Sequence, residues 1–499
     1  MITFNEQFVC PLLGLKSSGT NAFCISGVTY SYKQFFDYVE QVYYALSNVK
    51  DLRICLYATD DIRTYASIVA LWFLGKAYVP LNPNQPQKRH KEVISCVRTH
   101  TILSADEKYE SPVEGVKVIA TNVFSHEGYE SKGVMKALEV SDDSLAYIIF
   151  TSGSTGKPKG VQLTRGNVAS FIDSMNHIGL NISAEDRCLQ PFDLTFDFSV
   201  SSYVIPLVKG ACVYTIPNKA IKFTYIASLL EEYKLTVLQM VPSMIRNLLP
   251  YMDEVELDSV HFNILCGEAL TGSVIKKWHE ANPDMISYNM YGPTEDTVFC
   301  TYYLINKDNI SSLKTFNSVV SIGKTFVNNG LLLLDENNTI ITKSNVEGEL
   351  CLCGSQLTLG YWENDDENKS KFLLIGGTRY YRSGDICFYA GDKNLMYVSR
   401  KDFQVKINGF RVELGEIENN YANISGRFSV AMPFTNAQGN TELAIVVEGK
   451  EYDYNEDALA LARVLPPYEN PSKWLFIKSI PLNLNGKVDR KAISKIFNL

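Results

Sequence analysis

An apolar run, Tyr147 to Phe150, leads directly into Thr151-Ser152-Gly153-Ser154-Thr155-Gly156-Lys157-Pro158-Lys159-Gly160. Glycines let backbone N–H groups turn toward a ligand, hydroxyls donate further hydrogen bonds and lysines bring positive charge, so the combination suits phosphate oxygens. A plain surface turn is the alternative use of such residues. The spacing is not that of a Walker loop: Gly153 stands only three residues before Gly156, and Lys157 is followed by Pro158 where that motif has Ser or Thr. Metal binding through nitrogen or sulfur has little support. The six His are dispersed, and the nearest cysteines, Cys351 and Cys353, are too close for a zinc knuckle.

Such a loop needs a strand to deliver it and a helix to follow it. Tyr147 to Phe150 supplies the strand, and Asn167 is placed to cap a helix running through Asn176. Upstream, Arg53 to Tyr57 reads as a buried strand and Thr64 to Gly75 as a helix, an alternation that predicts a largely parallel sheet covered by helices. From Gly330 to Gly354 the pattern changes to strand, turn, strand. Leu331 to Leu334, the turn residues Asp335 to Asn338, and Glu349 to Cys353 predict an antiparallel, barrel-like piece. The charged cluster Ser399-Arg400-Lys401-Asp402 lies between two strand-like segments, Leu395 to Val398 and Phe403 to Ile407, and marks a boundary. Beyond it Glu442 to Val447 reads as a strand and Glu456 to Val464 as a helix, enough for a small α+β domain.

Length alone, 499 residues, leaves room for about three domains of ordinary size. With 46% hydrophobic and 20% charged residues the chain can fill large cores and is not a disordered one. Forty-seven Lys plus Arg against fifty-five Asp plus Glu give a net charge of −8, which argues against a broad grip on nucleic acid or anionic lipid. The eleven Cys, odd in number and without Cys-x-x-Cys, read as reduced thiols of a cytoplasmic protein. Met1 to Glu6 lacks the pattern of a secretory signal, and no stretch approaches the roughly 20 apolar residues that span a bilayer.

The Thr151–Gly160 loop closely resembles the phosphate loop of the adenylate-forming superfamily, which includes acyl-CoA ligases, luciferases and the amino-acid adenylation domains of peptide synthetases. The resemblance continues in order through Cys266-Gly267-Glu268-Ala269-Leu270, Tyr291-Gly292-Pro293-Thr294-Glu295, Tyr381-Arg382-Ser383-Gly384-Asp385, the run Arg400 to Arg411, and Asn485-Gly486-Lys487-Val488-Asp489-Arg490. It implies ATP contacts from Thr151, Ser152, Gly153, Ser154, Thr155, Gly156, Lys157 and Lys159, and further along from Gly267, Glu268, Ala269, Tyr291, Gly292, Thr294, Asp385 and Arg400. Tyr291 would offer a flat face to adenine and Asp385 would accept from the ribose hydroxyls. Arg400 would reach a phosphate or ribose oxygen, unless it is simply a salt-bridge former at a domain junction. Glu295 would help hold Mg²⁺, a hard cation that prefers oxygen ligands and keeps much of its water.

The implied reaction is attack of a carboxylate on the α-phosphorus of ATP, with Lys487, Glu295 and Arg400 as catalytic residues. Lys487 would bridge carboxylate and phosphate oxygens and stabilise the developing negative charge. It lies beyond the boundary, so the resemblance implies a large N-terminal domain (1–398), a hinge (399–402, with Asp402 at its centre) and a small mobile C-terminal domain (403–499). One pose would place Lys487 for adenylation. The other would bring Gly409, which lacks a Cβ, to a pantetheine thiol.

The segment Phe192 to Val200 is similar to the substrate-binding segment of amino-acid adenylation domains, with Asp197 where a carboxylate pairs with the substrate ammonium. Buried charges are costly unless paired, so an aspartate in an apolar pocket points to a cationic partner; the other use of Asp197 is to cap a helix. Position by position, the pocket lining is expected to be Phe198, Ser201, Gln239, Ile264, Cys266, Met290, Val298 and Phe299. This set is similar to pockets for threonine, with Ser201 and Phe299 departing from that pattern, whereas Cys266-Gly267-Glu268 and Asp402-Phe403-Gln404 resemble stand-alone D-alanine:carrier-protein ligases. A small or medium amino acid is expected, threonine ahead of alanine or serine, with strong hydroxyl discrimination if Gln239 would otherwise go unpaired. The chain ends nine residues after Arg490, so the expected acceptor is a phosphopantetheinylated carrier protein supplied in trans, or else coenzyme A. The competing functions are an acyl-CoA ligase for a small carboxylic acid and a non-catalytic scaffold.

Overall fold

A computed structural model describes residues 2–131, 135–152, 158–401, 404–482 and 488–499. Among these residues the chain builds two large, mostly parallel sheets; the first is antiparallel at one edge only, the second at both. One runs Gly360–Tyr361, Lys159–Thr164, Leu145–Thr151, Ala77–Leu81, Arg53–Tyr57, Thr101–Ser104, Lys117–Ala120. The other has nine strands, with Ile286–Tyr291, Phe262–Leu265, Val237–Met240, Arg187–Gln190 and Cys212–Thr215 as its parallel centre. Helix Arg165–Asn176 rests on the first sheet and Phe198–Lys209 on the second, and the two helices touch. Both are buried nearly all round, with polar residues such as Arg165, Asn167, Ser199 and Ser201 among the enclosed positions. One hydrophobic core spans both sheets, and a smaller cluster of Cys55, Val79, Leu81, Ile102 and Ile148 with helix Gln87–Val97 covers the other face of the first.

Two local expectations need correction. The helix read from Thr64 spans Ile62–Phe73, because Asp61 accepts from the Arg63 N–H and starts it earlier. The helix after the phosphate loop is capped by Thr164. Asn167 sits three residues inside: its N–H donates to Thr164 Oγ1 at 3.1 Å, while its Oδ1 accepts from the Thr164 N–H at 2.9 Å. This is a capping box with Asn in place of the usual Glu or Gln.

An antiparallel sheet follows, centred on Gly348–Gly354 and Thr378–Tyr389 and ending at Leu395–Arg400. After it come the hairpin Gln404–Ile407/Phe410–Glu413 and a three-stranded sheet of Ser429–Thr435, Thr441–Glu448 and Lys473–Ile477. That sheet buries both faces. Ala431, Leu443, Ile445 and Val447 join one cluster, Val430, Met432, Ala444 and Val446 another, and neither shares a residue with the main core. The alternation is the period of two that a strand imposes on its side chains. All eleven cysteines are free, and no helix among the described residues is long and apolar enough to cross a membrane.

Candidate active site

The expected pocket residues converge at the C-terminal ends of adjacent parallel strands, where α/β sheets open their ligand crevices. Gln239 pairs in register with Ile264, and Met290 is the penultimate residue of the next strand. Phe198 and Ser201 come from the first turn of helix Phe198–Lys209; the Phe198 ring stacks on Phe192 at 4.2 Å and meets Phe299 edge-on at 5.0 Å. Cys266 and Val298 are buried beside them.

Asp197 stands at the N-cap position of that helix without a side-chain capping bond. It is 6% exposed, and its Oδ2 has no hydrogen-bond partner. Burial pushes its carboxyl up to about 6, against the opposing pull of the Thr294 hydroxyl and of Lys406. The hydroxyls of Ser199 and Ser201 are likewise buried and unpartnered. Gln239 departs from expectation: its Oε1 accepts from Ser202 Oγ and its Nε2 donates to the Ser201 carbonyl, both at 3.4 Å. Its amide is therefore engaged by helix Phe198–Lys209, and the hydroxyls without a partner are those of Ser199 and Ser201.

Glu295 is fully buried. Arg411 Nη1 donates to both of its oxygens at 3.0 Å, and the Tyr361 hydroxyl donates to Oε1 at 2.5 Å. Burial works against the charge, but the Arg411 guanidinium and the Tyr361 hydroxyl outweigh it and draw the carboxyl down to about 2. A polar chain runs onward from here. Arg411 Nε donates to Gln404 Oε1 at 2.9 Å, Arg400 donates to the same oxygen, Arg400 Nη1 meets Asp385 Oδ1 at 3.0 Å, and the Tyr291 hydroxyl donates to Asp385 Oδ2 at 2.5 Å. Arg411, Gln404, Tyr361 and Tyr381 received no role from the sequence, although Arg411 closes one of the diagnostic motifs.

The turn after Glu295 is strained. Thr297 and Val298 have φ of 51° and 70°, unusual for β-branched residues. Gln356 holds this turn: its Nε2 donates to the carbonyls of Asp296, Thr297 and Phe299 at 3.2, 3.3 and 2.7 Å. The Thr358 N–H donates to the Glu295 carbonyl at 2.8 Å. The segment that carries Glu295, Val298 and Phe299 is thus fixed by a side chain about sixty residues away in sequence, which no local pattern announces.

Other expected ATP contacts are spoken for by protein groups. Lys159 pairs with Glu367. Glu268 accepts from the Ser243 N–H and Oγ at 2.8 and 2.7 Å and from Arg246 Nη2 at 2.9 Å. Among the described residues Thr151 Oγ1 donates to the Lys159 carbonyl at 3.5 Å, and Ser152 Oγ donates to the Arg411 carbonyl at 2.7 Å. Gly292 and Thr294 flank Glu295, while Ala269 is exposed. Gly267 and Gly409 face each other, both at positive φ; a Cβ on Gly409 would meet Val241 Cγ1 at 2.7 Å and Phe196 at 3.2 Å. Gly153, Ser154, Thr155, Gly156, Lys157, Asp402 and Lys487 lie outside the described residues.

As a metal ligand Glu295 has the right chemistry for Mg²⁺, an ionised oxygen donor leaving other positions to water and phosphate. Among the described residues no group of three or more His, Cys, Asp and Glu converges into a protein cage.

The profile of the AMP-binding enzyme family matches residues 16–362. Tyrocidine synthase 3 of Brevibacillus parabrevis is 32% identical over 433 residues, 85% of this chain but only 6% of that protein. The D-alanine–D-alanyl carrier protein ligase of Lactococcus lactis subsp. lactis (strain IL1403) is 29% identical over 488 residues, 93% of this chain and 94% of the ligase. The fold superimposes on the Vibrio cholerae adenylation domain AlmE, solved in complex with glycyl-adenosine-5'-phosphate, with a TM-score of 0.88 at 24% identity, covering 100% of this chain and 98% of that one.

Proposed function

The chain belongs to the AMP-binding enzymes, the adenylate-forming ligases, and from that premise we propose that it activates a small amino acid with ATP and passes the aminoacyl group to the phosphopantetheine thiol of a carrier protein. The observation that carries this reading is Asp197, a buried carboxylate with an unpartnered oxygen at the head of the helix that carries Phe198 and Ser201. An isolated buried anion is costly until a cation joins it, and the ammonium of an amino acid supplies that cation.

With the ammonium on Asp197 the substrate side chain points among Phe198, Met290 and Phe299, which exclude large aromatic acids. Because Gln239 is already tied to Ser201 and Ser202, the reason to place threonine ahead of alanine or serine falls away. Any substrate hydroxyl would be met by Ser201. The D-alanyl carrier protein ligase that the chain matches almost end to end favours a small side chain and a carrier acceptor.

Thr151 to Lys157 would wrap the phosphates and Asp385 would bind the ribose. Lys487 would compensate charge as the substrate carboxylate attacks the α-phosphorus and pyrophosphate leaves. Mg²⁺ held by Glu295 would neutralise phosphate charge. In the transfer step the thiol attacks the aminoacyl carbonyl and AMP departs. The pose of residues 404–499 supports this second step: Gly409 abuts Gly267, and Arg246 Nε donates to Asn440 Oδ1 at 3.0 Å across the same junction. A hinge within 399–402 would swing this lobe to present Lys487.

Amino-acid-dependent exchange of pyrophosphate into ATP tests the reading. Exchange with small amino acids is expected. Exchange only with carboxylic acids that lack an amine overturns it.

A further inference from the structure

The contact that joins the lobe of residues 404–499 to the centre of the site is Arg411 on Glu295. Its Nη1 lies 3.0 Å from both carboxylate oxygens and bridges them. Arg411 has little freedom to step aside. Its Nε is held by Gln404 at 2.9 Å, its carbonyl accepts from Ser152 at 2.7 Å, and Phe410 beside it is stacked flat on Tyr468 at 4.1 Å and packed on Phe196 at 5.3 Å. The rest of the lobe is pinned separately by Arg89 to Glu416 at 3.2 Å, a pair almost wholly buried.

We propose that Arg411 and a divalent cation compete for Glu295, so that the lobe docks in the pose seen here only after the metal, with the pyrophosphate it accompanies, has left. This rests on the assignment of Glu295 as the metal ligand. With Arg411 Nη1 bridging both oxygens, a dication brought to the same buried carboxylate would meet a like charge at close range where little water screens the repulsion. Mg²⁺ demands near-octahedral oxygen ligands at close range and does not accept an N–H in that shell. The competition makes one carboxylate report the progress of the reaction. While metal and phosphates are present Glu295 is taken and the hairpin Gln404–Ile407/Phe410–Glu413 is kept away; once they depart, the exposed anion recruits Arg411. Arg411 acts as a positioning residue here, with no bond made or broken at it.

The test uses Mn²⁺ as a spectroscopic probe, with free Mn²⁺ counted by electron paramagnetic resonance in the presence of a non-hydrolysable ATP analogue, together with hydrogen–deuterium exchange of residues 404–413. If the docked pose holds nine-tenths of the molecules, Arg411→Met tightens Mn²⁺ by about tenfold, since apparent affinity falls with the competent fraction. Arg411→Lys, which keeps the charge, tightens it less. Glu295→Gln abolishes the tight site in every background. In the wild-type protein, Mn²⁺ with the analogue raises hairpin exchange; in Arg411→Met exchange is already high and unchanged. Equal Mn²⁺ affinity in wild type and Arg411→Met, with both folded by circular dichroism, overturns the proposal, as does a hairpin that stays protected at saturating metal. Wild-type pyrophosphate exchange is run alongside: its absence with every amino acid sinks the proposed substrate class and leaves the metal competition to be decided by the Mn²⁺ arms alone.

Discussion

Gln356 grips Thr297 from both directions: the amide Nε2 donates to the Thr297 carbonyl at 3.3 Å, and the Gln356 carbonyl accepts from the Thr297 hydroxyl at 2.5 Å. The residue so held is at φ 51°, with Val298 at 70° next to it and Glu295 two residues before. Backbone in that region costs about 1–3 kcal/mol per residue and persists only where its surroundings impose it. Gln356→Leu keeps the volume and removes three donated bonds. It is expected to lower stability by roughly 2–4 kcal/mol and to raise KM for the amino acid more than it lowers kcat. Thermal unfolding and steady-state kinetics check this, and unchanged KM would show that the turn holds itself.

The Asp197 carboxyl, pushed up to about 6 by burial, predicts a pH dependence. On the proposed pairing the ammonium binds the ionised form, so kcat/KM for the amino acid should fall about tenfold per pH unit below 6 and level off above it. Stability runs the other way. The folded carboxyl holds its proton more tightly than the unfolded one, so stability is greatest below about pH 4 for this group and is lost as pH rises through 6. Asp197→Asn should therefore stabilise the ligand-free protein at pH 7 by roughly 2–3 kcal/mol while abolishing amino-acid-dependent exchange. Denaturant melts at pH 5 and 7 decide it: a gain equal at both pH values would assign the effect to something other than charge.

Gly409→Ala places a methyl 2.7 Å from Val241 Cγ1 at φ +86°. The clash applies only in the pose where Gly409 meets Gly267, whereas the backbone penalty belongs to the hairpin turn and is common to both poses. The transfer half-reaction from preformed aminoacyl-adenylate should slow by a hundredfold or so, on the order of 3 kcal/mol, with pyrophosphate exchange retained. Equal loss of both half-reactions would contradict separate poses.

Asn167 serves two structures at once. Besides completing the capping box with Thr164, its Nδ2 donates to the carbonyls of Ser355 and Leu357 at 2.8 and 3.1 Å, on either side of Gln356. Asn167→Ala should cost roughly 2–3 kcal/mol, more than the usual cap of about 1. A double-mutant cycle with Gln356→Leu should show coupling, whereas strictly additive losses would separate the two sites.

The architecture is readable because strand-helix alternation and the later hairpins leave clear periodicities, and the resemblance orders the motifs along nearly the whole chain. Asp197 and Glu295 stand out for the same reason: each sits inside a run whose types are unusual together. Arg411 stands in such a run too, but its partner lies 116 residues earlier in the chain, and nothing local joins them. Gln356 is a lone amide in an unpatterned loop. Gln239 misleads because the alternation that places it facing the pocket says nothing of Ser202, one helix away, which takes its carbonyl oxygen. Asn167 passes for the cap because Thr164 is also a good strand residue, and only the finished backbone shows which of the two opens the helix.

The strained turn has a bearing on how the substrate range of such a protein drifts. At Val298 truncation to glycine would forfeit buried apolar contact but release the positive-φ penalty, and the two are of similar size. The same widening at Ile264 or Met290, which sit on regular strands, would forfeit about 2–5 kcal/mol with nothing to offset it. On the proposed assignment of these residues to the pocket, mutational exploration of larger substrate side chains is nearly free at Val298 and steeply penalised at Ile264 and Met290, and a lineage acquiring a bulkier substrate would be expected to begin at Val298.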